Sequence, residues 1–529
     1  MQLSDYFDAA ASRYPNREAF VDGDGTIRIN FAEAQKLVYA VAHALRTDDS
    51  LGLGAHIAIY SPNDYRISLL QIAINRASMV WVSIHTRNAV ETNIAVLDYA
   101  DCDLVFFHSS YEAFVPAMKT GLPRTKTFIC LDRASEHGAN FAEWISSHQN
   151  VTLPESEVDE DRLAVLQPTG GTTGPSKGAL LTNRAVEMSL ISVFSALDMD
   201  HETRVLAVAP LTHAACFVTL AAAVRGGATV VLPSFDAYNV LDTIARERIT
   251  HLFLPPTIVY TLLSCPALDH TDTSSLRCIA VGAAPIAPEK LKEAVRRIGP
   301  VIYEVYGQSE CLFPVVAKQP ADYLLESGEF DEDALRSAGR AVPFARVEIM
   351  GDDGALVGPG VRGEIVVRSA MVMAGYYKKP EDSSAVSARG WHHTTDIGIR
   401  DARGFITIVD RMKDMIVSGG FNIFPAEVEA AINAHPAVLD CAVVGVPDEK
   451  WGEAVKAIVQ LKAGQEISEA HLIELCKQAL GSVKAPKSVE FWTDLPRSGG
   501  QDTQTGNTRA VLGGTVEVRL SVRHLCGRR

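Results

Sequence analysis

No CxxC pair occurs anywhere in the 529 residues, and the nine cysteines (Cys102, Cys130, Cys216, Cys265, Cys278, Cys311, Cys441, Cys476 and Cys526) are odd in number and scattered. Neither a disulfide framework nor a zinc site is suggested, and a reducing compartment fits best. Dense runs of Lys and Arg are missing too: 64 Asp+Glu stand against 49 Lys+Arg, a formal net charge of −15. A nucleic-acid groove or an anionic membrane needs a continuous positive field, so neither is expected as a partner, and any anionic ligand must be held locally. The start, MQLSDYFDAAASRYP, lacks a basic region and an apolar core, because Asp5 and Asp8 fall where the core would lie. Cytoplasmic residence is the expectation. An uninterrupted apolar run of membrane length is also absent, and no transmembrane segment is expected. The longest run, Val205 to Val224, contains Pro210, Thr212 and His213 and breaks at Arg225-Gly226-Gly227. It reads as a buried strand followed by a core helix. Internal repeats and low-complexity tracts are not visible.

What is present is a composition of 47% hydrophobic and 21% charged residues, at a length that suggests two to four domains. From about Val205 to Gly307, short β-rich runs alternate with helical patterns: VLAVAPL (205–211), ATVVLP (228–233), THLFLPPT (250–257), RCIAVGAAP (277–285) and VIYEVYG (301–307). PEKLKEAVRRI lies between the last two, with Pro288 at a favoured first helical position and Leu291, Val295 and Ile298 at helical spacing. This alternation predicts an α/β fold with a parallel sheet and right-handed helical crossovers, with ligands gathering beyond the carboxyl ends of the strands. After Asp410 the pattern changes to a smaller α+β unit: PAEVEAAINA and EAHLIELCKQAL as helices, LDCAVVGV and AVKAIVQL as strands. The expected division is a large N-terminal domain, 1–410, and a small C-terminal domain, 411–498.

The sharpest local signal is Leu166-Gln-Pro-Thr-Gly-Gly-Thr-Thr-Gly-Pro-Ser-Lys-Gly178. Its glycines let backbone approach a polyanion, its threonines offer hydroxyls, and Lys177 supplies charge. The spacing is not GxxxxGK[ST], because Ser176 precedes Lys177 and Gly178 follows it. Seen alone, such a stretch reads more simply as a flexible linker.

Its company argues otherwise. Pro210-Leu-Thr-His213, Gly282-Ala-Ala-Pro285, Tyr306-Gly-Gln-Ser-Glu310, Gly363-Glu364 with Gly375-Tyr376, Thr394-Thr-Asp396, Asp410-Arg411-Met-Lys-Asp414, Ser418-Gly-Gly-Phe-Asn-Ile-Phe-Pro425 and Gly445-Val-Pro-Asp448 with Gly452-Glu453 follow in order. Together they resemble the motifs of the AMP-forming adenylating enzymes, the superfamily of acyl-CoA synthetases, non-ribosomal adenylation domains and beetle luciferases. The resemblance runs to about Ser498. It implies that a carboxylate attacks the α-phosphorus of ATP, giving acyl-AMP and pyrophosphate, and that the thiol of coenzyme A then displaces AMP. Thr169, Gly170, Gly171, Thr172, Thr173, Gly174 and Lys177 would hold the phosphates, and Glu310, with Thr172, would bind magnesium. Gly282, Ala283, Ala284 and Pro285 with Tyr306, Gly307, Gln308 and Ser309 would flank the adenine, while Asp396 and Arg411 would take the ribose hydroxyls. His213 would lie near the reacting carboxylate. Lys413 would be the hinge about which a mobile C-terminal domain turns between half-reactions, and Ser418, Gly419, Gly420 and Phe421 would wall the pantetheine tunnel. Taken singly these residues have ordinary alternatives: Asp396 as a turn residue, Arg411 and Lys413 as surface charges, His213 as a satisfied core histidine, the glycines at 419 and 420 as a plain turn.

The resemblance also bears on the acid. Short-chain members close the acyl pocket with a tryptophan where Gly307 stands, so the pocket should extend and acetate is disfavoured. The expected lining, Cys216, Phe217, Thr257, Tyr260, Ala283, Ala284 and Cys311, contains no Lys or Arg to pair with a second carboxylate, which argues against a dicarboxylate such as malonate. Fatty, aryl and alicyclic acids stay open. One departure is Cys216, where a glycine commonly stands. The oligomeric state is not legible, and a homo-oligomer is left open.

The larger departure is at the C-terminus. Members end in LPRxxxGKxxRxxLR or similar, with a lysine that contacts the substrate carboxylate and the α-phosphate. Here Leu495-Pro-Arg-Ser498 is followed by GGQDTQTGNTRAVLGG, with no lysine after Lys487. Read one nucleotide later, the codons for Gly500 to Gly513 permit Gly-Lys-Ile-Leu-Lys-Arg-Glu-Ile-Arg-Ala-Arg-Tyr-Trp, a family-like ending. A frameshift near Gly499, leaving 499–529 out of frame, is the expectation, against a divergent natural tail. An acyl-CoA synthetase is thereby set against a catalytically impaired adenylate binder, and against an acyl-AMP ligase that loads a carrier protein.

Overall fold

The computed structural model describes residues 1–149, 151, 159–169, 177–412, 414–448, 451–493 and 495, and the backbone of 497–498 and 501–502. They divide into two units: Met1–Thr394 with Gly398–Ile408, and Thr395–Ile397 with the chain from Val409 onward.

In the first unit all five apolar runs become adjacent strands, in the spatial order Ala228–Val231, Arg204–Ala207, His251–Leu254, Cys278–Val281, Ile302–Tyr306. Every neighbouring pair is parallel. Three of them are buried at every position, which is why they read as continuous apolar runs rather than alternating ones. The crossovers are the helices Ala215–Val224, Ala237–Glu247, Pro256–Ser264 and Pro288–Arg297. Pro288 opens the last of these, Leu291 and Ala294 are buried in it, and Arg296 and Arg297 sit in its final turn, where the helix dipole favours cations. The run from Val205 to Val224 is indeed a strand and then a helix. Among the described residues no helix is long and apolar enough to cross a membrane.

A second sheet of eight strands was not foreseen. Its order is Gly375–Tyr376, Gly178–Thr182, Leu163–Pro168, Val80–Val82, His56–Tyr60, Leu104–Phe107, Thr127–Cys130, Ala139–Asn140. Leu163–Pro168 and Gly178–Thr182 form an antiparallel pair with Pro168 opposite Gly178, so the glycine-rich stretch is the connection of a hairpin. Tyr376 pairs with Ala179 on the outer edge of that hairpin. The first sheet is likewise longer than expected, continuing antiparallel beyond Ile302–Tyr306 through Val316–Lys318 and Gly339–Ala341 to Phe405–Arg411.

In the second unit the helices Pro425–Asn433 and Glu469–Leu480 share a core with a sheet dominated by the antiparallel pair Val438–Asp448 and Gly452–Leu461. Ile423, Val428, Ile432, Val443, Val455, Leu472 and Cys476 fill that core. Across both units the described cysteines are buried and none is joined in a disulfide.

Candidate active site

At the end of the strand Leu163–Pro168, consecutive residues reach two other motifs and close the base of their own. Gln167 Nε2 lies 2.8 Å from His213 Nδ1. The Pro168 carbonyl accepts a hydrogen bond from Ser309 Oγ at 3.4 Å. The Thr169 N–H donates to the Lys177 carbonyl at 2.7 Å, and the Lys177 N–H to Thr169 Oγ1 at 3.4 Å, closing the loop at its base. Gly170, Gly171, Thr172, Thr173 and Gly174 lie outside the described residues.

Lys177, at the loop's far end, places its ammonium 5.0 Å from the centroid of the Tyr376 ring and 3.2 Å from Asp382 Oδ1. The Tyr376 hydroxyl donates to Glu310 Oε1 at 2.8 Å. The strand stops at Tyr306, and Glu310 sits half-buried in the loop beyond it. Its carbonyl accepts from Met373 N–H at 2.9 Å. Among the described residues no group of three or more His, Cys, Asp or Glu converges to cage a metal. A single fixed carboxylate beside a phosphate-directed loop fits magnesium, which dehydrates reluctantly and is commonly held by one or two carboxylates plus substrate phosphates.

His213 occupies the turn between Arg204–Ala207 and Ala215–Val224. The Gln167 side-chain amide and His213 Nδ1 share a hydrogen bond that fixes the orientation of the imidazole. Burial, with His85 beside it, pushes the His213 pKa down to about 4. The two rings lie 6.0 Å apart. A neutral imidazole acts through hydrogen bonds and not as a charge.

Two other histidines are held neutral by burial: His251 and His392, 1% and 3% exposed, each with its pKa pushed down to about 4. Their unfolded value is about 6.5, so the native state binds fewer protons and stability falls as pH drops from about 6.5 toward 4. We expect a loss of about 2 kcal/mol by pH 5 for each. Denaturant midpoints between pH 7 and pH 5 check this: His251→Gln should flatten the slope, and an equally steep slope would contradict it.

At the end of the strand Cys278–Val281, Gly282 is buried while Ala283, Ala284 and Pro285 are exposed, and Ala283 has φ +69°. A side-chain-bearing residue in that region is costly. Tyr306 is the last residue of its strand and is half-buried. Gln308 donates from Nε2 to the Thr394 carbonyl at 3.0 Å and from its N–H to the Cys311 carbonyl at 2.8 Å, pinning the loop that carries Ser309 and Glu310.

At Gly307 a Cβ would lie 2.6 Å from Phe313 Cα and 2.8 Å from Phe313 N, so a side chain there would press on backbone. The Phe313 ring in turn stacks on Phe253 at 5.4 Å and meets Phe217 edge-on at 6.2 Å. Glycine is required by that close approach. Gly307→Trp must therefore displace residues 307–313, and we expect it to weaken ATP binding together with acid use. Calorimetric ATP titration and an acid profile test this; unchanged ATP affinity with merely shortened acids would contradict it.

Cys216 and Cys311 are buried, and burial pushes both thiols far up, so they are packing groups and not nucleophiles. Thr257 and Tyr260 are half-buried on the helix Pro256–Ser264, and the Tyr260 hydroxyl accepts from Ala287 N–H at 2.8 Å.

In the second unit Asp396 is 4% exposed and its Oδ1 lies 3.5 Å from Arg411 Nε. Met412 N–H donates to the Thr395 carbonyl at 2.8 Å, and Thr395 has φ +60°. Lys413 lies outside the described residues. Gly419 has φ +58° and a Cβ there would meet the Trp451 ring at 2.6 Å, so this glycine lets the indole lie on the backbone. Its N–H donates to the Trp451 carbonyl at 2.8 Å. Ser418 is buried, Gly420 has φ +82°, and Phe421 is 58% exposed.

Sequence reasoning missed Gln167, His85, Tyr376 and Asp382. Gln167 and Tyr376 stand inside motifs it had quoted, one beside the loop and one after Gly375. His85 and Asp382 carry no local signal.

The AMP-binding enzyme family matches residues 7–377, and the AMP-binding enzyme C-terminal domain matches residues 427–502. The chain belongs to this family, the AMP-forming adenylating enzymes. It is 39% identical over 361 residues to a medium/long-chain-fatty-acid–CoA ligase (FadD8) of Mycobacterium tuberculosis, a match spanning 67% of this chain and 62% of that relative's length. Over 504 residues it is 31% identical to an indoleacetate–CoA ligase of Aromatoleum aromaticum, covering 94% of this chain and 96% of that one. Its fold superposes on the amide bond synthetase McbA of Marinactinospora thermotolerans with a TM-score of 0.86 and 28% identity, covering 96% of this chain and 100% of that one.

Proposed function

We propose that this chain, an AMP-forming acid–CoA ligase, activates an apolar carboxylic acid of fatty, aryl or alicyclic type. ATP and the acid give acyl-AMP and pyrophosphate, and coenzyme A then gives acyl-CoA and AMP. The observation that carries this is the convergence on Gln167, Pro168 and Thr169, which draws His213, the Ser309–Glu310 loop and the glycine hairpin to the end of one strand. Phosphoryl chemistry of this kind depends on positioning and charge. Lys177 meets the phosphates as a point charge, and the neutral His213 offers a hydrogen bond to the acid. Glu310 would hold magnesium, which neutralises charge on the phosphates. Asp396 and Arg411 bind the ribose, and the wall from Ser418 to Phe421 guides the pantetheine. The aromatic layer of Phe217, Phe253 and Phe313 offers an apolar acyl site without a cation for a second carboxylate.

The unit from residue 411 is the mobile domain, turning near Lys413. The stretch 499–529 is out of frame, a reading supported by the end of the family match at residue 502. As it stands the chain is then slow in the first half-reaction, an impaired adenylating enzyme with an intact thioester face. Buried thiols without disulfides suit a cytoplasmic location. The test is a panel of acids assayed for AMP release with coenzyme A present. Turnover with apolar monocarboxylates and none with acetate or malonate is expected; a preference for either small acid would overturn the substrate class.

A further inference from the structure

Tyr376 joins the two charges that the proposed reaction needs most, and no residue role assigned above accounts for it. Its ring lies under the Lys177 ammonium at 5.0 Å and its hydroxyl donates to Glu310 Oε1 at 2.8 Å. The backbone beneath the ring is fixed on several sides. Tyr376 pairs with Ala179 on the hairpin that carries the loop, its N–H donates to Ser383 Oγ at 2.7 Å, and Tyr377 N–H donates to the Gly178 carbonyl at 2.8 Å. The side chain is 8% exposed, so the ring has one place to be. Lys177 has a second neighbour, Asp382 Oδ1, at 3.2 Å, an anion lying where a bound phosphate would compete for it.

We propose that Tyr376 is a positioning residue that couples Glu310 to Lys177, and that Asp382 is the internal anion from which phosphate must draw that lysine. With Oε1 engaged by the phenol, the Glu310 carboxylate is turned so that Oε2 is the oxygen left for a metal, while the ring face holds the ammonium close to the same site. This rests on the reading of Glu310 and Lys177 given above.

The test is equilibrium ATP binding to the full chain by calorimetry, in magnesium and separately in EDTA, with thermal melting as the folding control. Tyr376→Phe keeps the ring and removes the hydroxyl; it should weaken ATP binding about tenfold in magnesium and leave it unchanged in EDTA. The loss should vanish in a Glu310→Gln background, because the hydroxyl then has no charged partner to orient. Tyr376→Leu should weaken binding in EDTA as well. Asp382→Asn should strengthen binding in EDTA about two- to fivefold, the worth of an exposed ion pair. Equal losses for Tyr376→Phe in both media, or a loss independent of Glu310, would overturn the coupling. Wild-type binding that ignores magnesium altogether would instead overturn the role of Glu310 itself.

Discussion

Restoring the reading frame from Gly499 should raise acid-dependent pyrophosphate exchange about 100- to 1000-fold over the chain as it stands. In the transition state negative charge develops between the carboxylate and the α-phosphate, and a cation aimed at it is worth far more there than in the ground state. The chain offers no lysine after Lys487, whereas the shifted frame supplies one two residues into the restored ending. ATP binding should be nearly equal in the two forms, since Lys177 and Glu310 are common to both. Acyl-CoA formation from synthetic acyl-AMP should also be similar, because Gly419, Gly420 and Trp451 precede the break. Equal exchange rates would mean that another residue fills the lysine's place. Sequencing the gene across Gly499 is the companion measurement, and an unshifted read with no alternative ending would remove the idea.

Glu310→Gln is expected to lower pyrophosphate exchange at least about 100-fold in the frame-restored protein. The substitution is isosteric and its amide oxygen can still accept from the Tyr376 hydroxyl, so the loop should hold its shape while the metal site loses a charge. The defect should soften at high magnesium concentration, and acyl-CoA formation from acyl-AMP should be untouched, since no pyrophosphate leaves in that step. Loss of both half-reactions would point to a disturbed loop and not to a metal ligand.

The parallel half of the large sheet was legible because its strands are apolar on both faces and separated by helices with clear starts such as Pro288. The eight-stranded sheet was not, since His56–Tyr60 and Leu104–Phe107 are runs of five and four buried residues, too short for periodicity to tell strand from helix. At the site, motif order singled out the candidate residues, and composition alone could not. How they touch lay beyond reach: Gln167 meets His213 across 46 residues and Tyr376 meets Glu310 across 66. Gly307 shows the limit most plainly. The glycine is visible in the sequence, but only the fold reveals that Phe313 backbone stands where its side chain would point.

The most direct test is the identity of the nucleotide product when the frame-restored protein is given ATP, magnesium, coenzyme A and an apolar carboxylic acid. AMP and pyrophosphate, formed only when the acid is present and matched by acyl-CoA, is the expected result. ADP as product, or nucleotide turnover that ignores every acid supplied, would contradict it.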